Sequence, residues 1–268
     1  MKKGEDMEIT YIGYSLEMIR LLINSTYFKV ICIITKEGVL SKGFKKKLIS
    51  DNIYISEVDD NNIENIIKTR VCLIYKYRHI IKKNVIEQHV FFNIHPGSIR
   101  DNRGAHPVRW SILLGNKFTY MTLYRIMGID EGEVIHECKL RISGLNYLEV
   151  DLLMNSKIDE SLKYLQKYFE KNESKHYKIV LNGKYRRKIE EKDYIIDLEK
   201  DTVKQIRRKI NSVKDFGGAV LFINGDKYRA KEVLKNKPHK ELEKAGDEFF
   251  ANCDSKKWVI RCETFKWK

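Results

Sequence analysis

Three prolines serve 268 residues, and two of them, Pro96 and Pro107, fall within one stretch, FFNIHPGSIRDNRGAHPVRW (91–110). The five cysteines (Cys32, Cys72, Cys138, Cys253, Cys262) are odd in number and scattered, with no CxxC or Cys/His pair at zinc-site spacing. This argues against a structural zinc site and for reduced thiols in a cytoplasm. No apolar run reaches the roughly 20 residues of a membrane helix. The opening MKKGEDMEIT lacks the apolar core of a secretory signal. Phosphate-cradling loops are missing as well: the first turn, GYSLEM, is no GxGxxG, and there is no Walker sequence. A nucleotide-type sheet in this chain would therefore not imply NAD or ATP.

What is present is ordinary globular material, 43% hydrophobic, in a chain long enough for one large domain or two smaller ones. The net charge of +14 is uneven. From Lys171 onward there are 26 Lys and Arg against 16 Asp and Glu, net +10; the first 170 residues carry 25 against 21, net +4. A basic C-terminal third attracts polyanions, although lysines mixed with acids along a chain are more commonly a solvated surface.

The first half alternates strand-like and helix-like pieces. MEITYIG, FKVICIIT, NIYISEV, RVCLIYKY and HVFFNIH read as buried strands, with LEMIRLLIN capped by Ser15 as a helix and NNIENIIKT as another. This rhythm implies a Rossmann-like, doubly wound α/β sheet. TYMTLYR and VIHECKLR follow as strands around a turn, IMGIDEGE, and SKIDESLKYLQKYFEKN as an amphipathic helix with Ile158, Leu162, Leu165 and Phe169 on one stripe. A boundary in the polar KNESKHY divides the chain into 1–172 and 173–268. The second part is expected to be smaller and α+β or β-barrel-like, with a helix capped by Asp201 and a hairpin at Asn-Gly-Asp (224–226).

In an open parallel sheet ligands bind at the carboxyl ends of strands. Asn93 and His95 end an apolar run, two residues apart and so on one side of an extended backbone. Pro96 then stops the strand. A histidine can take a proton from an amine and return it, and an asparagine N–H can meet a developing oxyanion. Asp130, between Gly128 and Gly132, lies where the backbone can turn tightly and an aspartate can orient His95. Alone, each has a bland reading: a core histidine, a turn aspartate.

Together, NIHPGSIRDNRGAHPVRWSILLGN and MGIDEGEVI resemble the formyltransferases that use 10-formyltetrahydrofolate, a family that includes glycinamide ribonucleotide, methionyl-tRNA and sugar N-formyltransferases. Its pattern, Asn-x-His-Pro, Arg-Gly-x-x-Pro and then Asp-x-Gly, falls on Asn93, His95, Pro96, Arg103, Gly104, Pro107, Asp130 and Gly132. The segment 195–228 is similar to the C-terminal piece of the tRNA and sugar branches. The resemblance implies a catalytic trio of Asn93, His95 and Asp130, with no metal. It implies folate contacts at Tyr77, Ile80, Ile81, Met127, Gly128 and Asp130. Arg103, with Asn102, His106 and Arg109 nearby, would contact the substrate. The family's usual Ser-Leu-Leu-Pro is replaced by Gly97-Ser98-Ile99-Arg100, and a common glycine by Arg78.

NRGAHPVRWSI is similar to the sugar branch, which implies N-formylation of a nucleotide-linked amino-deoxy sugar, with a homodimer as a possible assembly. The alternative is methionyl-tRNA formyl transfer, for which SKGFKKKLI (41–49) falls where the tRNA branch carries a basic insertion loop. A non-catalytic relative of the fold is the third reading, and the intact trio opposes it.

Overall fold

The structure, a computed structural model, describes residues 7–60, 62–170, 177–235, 248–253 and 258–264. The strands and helices come in chain order as β1 (Met7–Gly13), α1 (Leu16–Ile23), β2 (Phe28–Thr35), α2 (Lys42–Ser50), β3 (Tyr54–Glu57), β4 (Val71–Tyr75), α3 (Lys83–Gln88) and β5 (Val90–His95). Next are β6 (Arg103–Gly104), α4 (Pro107–Leu113), β7 (Phe118–Gly128), β8 (Glu131–Arg141), α5 (Tyr147–Asn155), α6 (Ile158–Glu170), β9 (Lys178–Val180) and β10 (Tyr185–Arg186). The last are β11 (Ile195–Ile196), α7 (Val203–Ser212), β12 (Ala219–Ile223), β13 (Asp226–Lys235), β14 (Glu248–Cys253) and β15 (Trp258–Thr264).

Two compact units share these elements, each discontinuous in sequence: 1–103, 120–139 and 154–185 form one, and 104–119, 140–153 and 186–268 the other. The expected boundary at 172/173 lies outside the described residues.

The first unit is built on an eight-stranded sheet of order β3-β2-β1-β4-β5-β7-β8-β9. β1 to β5 are parallel, which gives the doubly wound α/β arrangement, and β7 enters antiparallel to β5. The central strands are buried on both faces, β4 at every residue, which is why they read as unbroken apolar runs. Ser15 caps α1, its Oγ accepting the Met18 N–H at 3.2 Å, and Met18, Ile19 and Leu22 turn inward. Gly13 closes β1 against β4; a Cβ there would lie 1.9 Å from the Tyr75 carbonyl oxygen.

Two local expectations are corrected. NNIENIIKT does not form a helix; its described residues make a turn in which Ile63 and Ile67 are buried in the core beside Ile12, Cys72 and Ile74. Asparagines favour turns over helix interiors, and two anchored isoleucines satisfy the same apolar spacing. SKGFKKKLI is no loop: it is α2, capped by Ser41, the crossover between β2 and β3.

In the second unit α7 packs on a five-stranded sheet of order β11-β12-β13-β15-β14, the α+β expectation. Val203, Ile206 and Ile210 of α7 join Val220, Leu221 and Ile260 in one core. The cap of α7 is Thr202, in a capping box with Gln205, rather than Asp201; Asp201 instead ion-pairs with Lys209 at 2.5 Å. The β12–β13 hairpin turns at Asn224 and Gly225, both with positive φ (52° and 89°), as the Asn-Gly pair requires. Among the described residues no helix is long and apolar enough to cross a membrane.

Candidate active site

Antiparallel pairing of β5 with β7 sets Asn93 opposite Tyr124 and His95 opposite Thr122. β7 then turns back into β8 through Ile129 and Asp130, with Asp130 in the left-handed region at φ 49°. Aspartate tolerates that conformation, and it brings the carboxylate back over β5. His95 Nδ1 lies 3.5 Å from Asp130 Oδ1. Asn93 Nδ2 donates to Tyr124 Oη at 3.0 Å, and Tyr124 Oη donates to Asp130 Oδ1 at 3.1 Å. The three expected catalytic side chains therefore meet, joined by a fourth that sequence reading passed over. His95 is buried, and its Nε2 lies 3.2 Å from the Asn102 carbonyl oxygen. Burial, with the Asp130 charge alongside, pushes the Tyr124 phenol well above its ordinary range, so it stays a donor.

The Gly97–Arg100 loop, where the family pattern is altered, is pinned at three points. Thr122 Oγ1 donates to the Gly97 carbonyl at 2.7 Å, Ser98 Oγ to Glu137 at 3.2 Å, and Arg100 ion-pairs with Glu137. Ile99 is fully buried with Tyr124 and Val180.

A second group gathers at the carboxyl ends of β1, β3 and β4. Tyr14 Oη donates to Asp59 at 2.7 Å, and His79 Nε2 lies 2.9 Å from the same carboxylate. The Tyr77 ring packs at 5.7 Å from Tyr14 and 5.3 Å from His79, and its hydroxyl donates to the Asp60 carbonyl. Burial, then the charges of Asp60 and Asp59, pushes the Tyr77 phenol up to about 12. The hydrogen bonds from His79 and Tyr14 hold the Asp59 carboxyl low. Tyr77 packs on the same core as Ile126, just before the β7–β8 turn. Ile80, in the loop after β4, and Met127 and Ile129, at the end of β7 and in the turn after it, each leave more than half of their surface exposed. Ile81 differs: its side chain is buried in the core, so only its backbone is available there. Tyr14 and Asp59 were not singled out from sequence; their position after the apolar runs of β1 and β3 was the available signal.

Of the residues assigned to substrate, Asn102 is buried and turns its carbonyl to His95. Arg103 ion-pairs with Glu131 and reaches the Ile129 carbonyl, bracing the turn that carries Asp130. His106 and Arg109 lie in the second unit. Arg109 is a correction. It is 4% exposed, its Nη1 and Nη2 donate to the two Asp215 carboxylate oxygens at 2.7 and 2.6 Å, and Nη1 also donates to the Ser212 carbonyl. Tyr147 and Phe216 lie against the guanidinium, each ring centroid 3.9 Å away. An arginine so enclosed holds its own unit together and does not reach substrate. Trp110 donates its Nε1–H to the Arg187 carbonyl at 2.7 Å.

One group of metal-ligating type occurs among the described residues: His136, Cys138 and Glu160. Lys157 already ion-pairs with Glu160 at 3.2 Å, and burial raises the Cys138 thiol, favouring its protonated form. The His136 ring stacks on Tyr164 at 3.8 Å, a packing arrangement.

Residues 188–266 match the family model described as formyl transferase, C-terminal domain. The chain is similar to a methionyl-tRNA formyltransferase of Prochlorococcus marinus, 26% identical over 266 residues that cover 86% of this chain and 80% of that protein. Among solved structures it is similar to HypX from Aquifex aeolicus in complex with tetrahydrofolic acid, at TM-score 0.70 and 17% identity over 98% of this chain and 45% of that one. It is similar also to WlaRD, a sugar 3N-formyl transferase, at TM-score 0.57 and 20% identity over 99% of this chain and all of that one.

Proposed function

We propose that this chain is a formyltransferase and that it moves a formyl group from 10-formyltetrahydrofolate to the amino group of a nucleotide-linked amino-deoxy sugar. The observation that carries the reading is the meeting of Asn93, His95 and Asp130 at the carboxyl end of β5. The folate supplies an activated formyl carbon. The exposed Ile80, Met127 and Ile129 are apolar surface of the kind its flat ring system would cover.

The amine nitrogen bonds to the formyl carbon as the bond from that carbon to the folate nitrogen breaks. His95 takes the proton the amine loses, and a proton returns to the departing folate nitrogen. Negative charge develops on the formyl oxygen, and an Asn93 N–H meets it. Asp130, 3.5 Å from Nδ1, holds the ring and stabilises the imidazolium while His95 carries the proton.

The sugar class rests on the Asn102-Arg103-Gly104…Trp110 segment and on the form of residues 42–50, a crossover helix where a basic loop would serve tRNA. The second reading, methionyl-tRNA as acceptor, is favoured by the named sequence relative. The test is tetrahydrofolate release from 10-formyltetrahydrofolate with a panel of nucleotide-linked 3-amino and 4-amino sugars beside charged initiator Met-tRNA. Turnover with one sugar and none with tRNA is expected; turnover with tRNA alone reverses the assignment.

A further inference from the structure

We infer that Tyr124 is a positioning residue for formyl transfer: its hydroxyl dictates which end of the Asn93 carboxamide faces the reacting oxygen. The inference rests on the trio reading above and is independent of which amine is the acceptor.

A phenol has one proton. An ionised carboxylate only accepts, so toward Asp130 Oδ1, 3.1 Å away, Tyr124 must donate. Only lone pairs then remain for Asn93, 3.0 Å on the other side, and Asn93 must answer with an N–H. The order is therefore one-directional: Asn93 N–H to Tyr124 O–H to Asp130 carboxylate. A carboxamide turned by 180° would set an oxygen against an oxygen that has no proton to give. Asn93 keeps a second N–H on the same nitrogen, and that donor is what a developing oxyanion needs. Without the phenol the two ends of the carboxamide become nearly equivalent, and the acceptor end, which repels the oxyanion, is populated.

Three features hold the device in place. Asn93 and Tyr124 are cross-strand partners, so their distance is set by the β5–β7 ladder. The Tyr124 ring is 1% exposed, packed with Ile99 and Val180, so the hydroxyl cannot swing away. Asp130 Oδ1 is also the atom nearest His95 Nδ1, so one oxygen ties the proton carrier to the oxyanion donor.

Tyr124→Phe keeps the ring and removes the hydroxyl. With the acceptor that the wild type uses, kcat falls about 10- to 100-fold, less than the roughly 10²- to 10³-fold of removing an oxyanion donor outright because Asn93 is kept, while KM for folate and amine changes less than about threefold. In an Asn93→Ala background the same change costs less than about twofold, because its effect runs through Asn93. A merely structural tyrosine would cost the same factor in both backgrounds, and that result, or an unchanged kcat, overturns the inference. If the wild type transfers formyl to no amine offered, the trio reading has failed, and a second measurement still decides on Tyr124. In 15N-labelled protein the Asn93 side-chain amide signal, identified by its loss in Asn93→Ala, shifts and exchanges faster in Tyr124→Phe; an unmoved signal refutes the role.

Discussion

Arg109 shows how far one side chain's environment can redirect its role. Its guanidinium is closed between two aromatic rings and bound at both nitrogens by Asp215. Removing one partner of such a pair leaves a buried charge. Arg109→Ala is expected to lower stability by about 3–5 kcal/mol, read by denaturant or thermal unfolding. Any KM change for the amine that is not accompanied by lost stability would restore it to the substrate site. Its true partner is 106 residues away in sequence, beyond the reach of spacing arguments, and an arginine beside an Arg-Gly-x-x-Pro motif looks like a ligand contact. Asn93, His95 and Asp130 were legible because a proline and two glycines mark their turns. Tyr124 was not, since inside an apolar strand a tyrosine reads as packing.

His106 carries a pH signature at the same scale. Burial first, then Arg109 and Lys188, lower its pKa from 6.5 to about 4. Between about pH 6.5 and pH 4 the unfolded chain binds a proton that the folded one refuses, so stability falls as pH drops through that window. His106 is part exposed, and solvent screening leaves about 1–2 kcal/mol of the effect. His106→Gln should flatten this dependence: the gap in Tm between pH 8 and pH 5 narrows relative to wild type, and an equal gap in both proteins refutes the assignment.

At the scale of the element, the β7–β8 hairpin is the part that the proposed chemistry leans on. Asp130 sits at its tip, Glu131 is tied to Arg103, and Gly132 has no room for a side chain: a Cβ there would lie 1.9 Å from the Arg125 carbonyl oxygen. Gly132→Ala must shift backbone, and with it Asp130. A displacement near 1 Å costs on the order of a hundredfold in turnover, measured as kcat in the formyl-transfer assay; unimpaired kcat would show that Asp130 placement is not limiting. The strands of this hairpin and of the parallel sheet were legible because their apolar runs are long. The turn at 62–69 and the helix α2 were not, because short segments rich in Asn or Lys carry little periodicity and take their form from what their few apolar residues anchor to.

At the scale of the whole chain, the net charge of +14 weighs on the choice between acceptors. A diphosphate sugar presents few charges, so KM should rise only modestly between about 50 and 200 mM salt, whereas binding through several nucleic-acid phosphates weakens by about 10³ or more over that range. A salt titration of KM therefore separates the readings without identifying the sugar. Composition foretold the excess of positive charge, but composition contains no distances, and the sorting of residues into two interleaved units depends on contacts between segments far apart in sequence.

The β5–β7 ladder has one more consequence, for how such a chain can change in length. Deleting a single residue between Phe118 and Leu123 would slide β7 by one position, carrying Tyr124 to the opposite face of the sheet and parting Thr122 from His95. Insertions and deletions among related proteins should therefore cluster in turns such as 36–40 and 143–146 and leave 90–95 and 118–132 at constant length. Any graft meant to re-aim this enzyme at another amine has to respect that spacing.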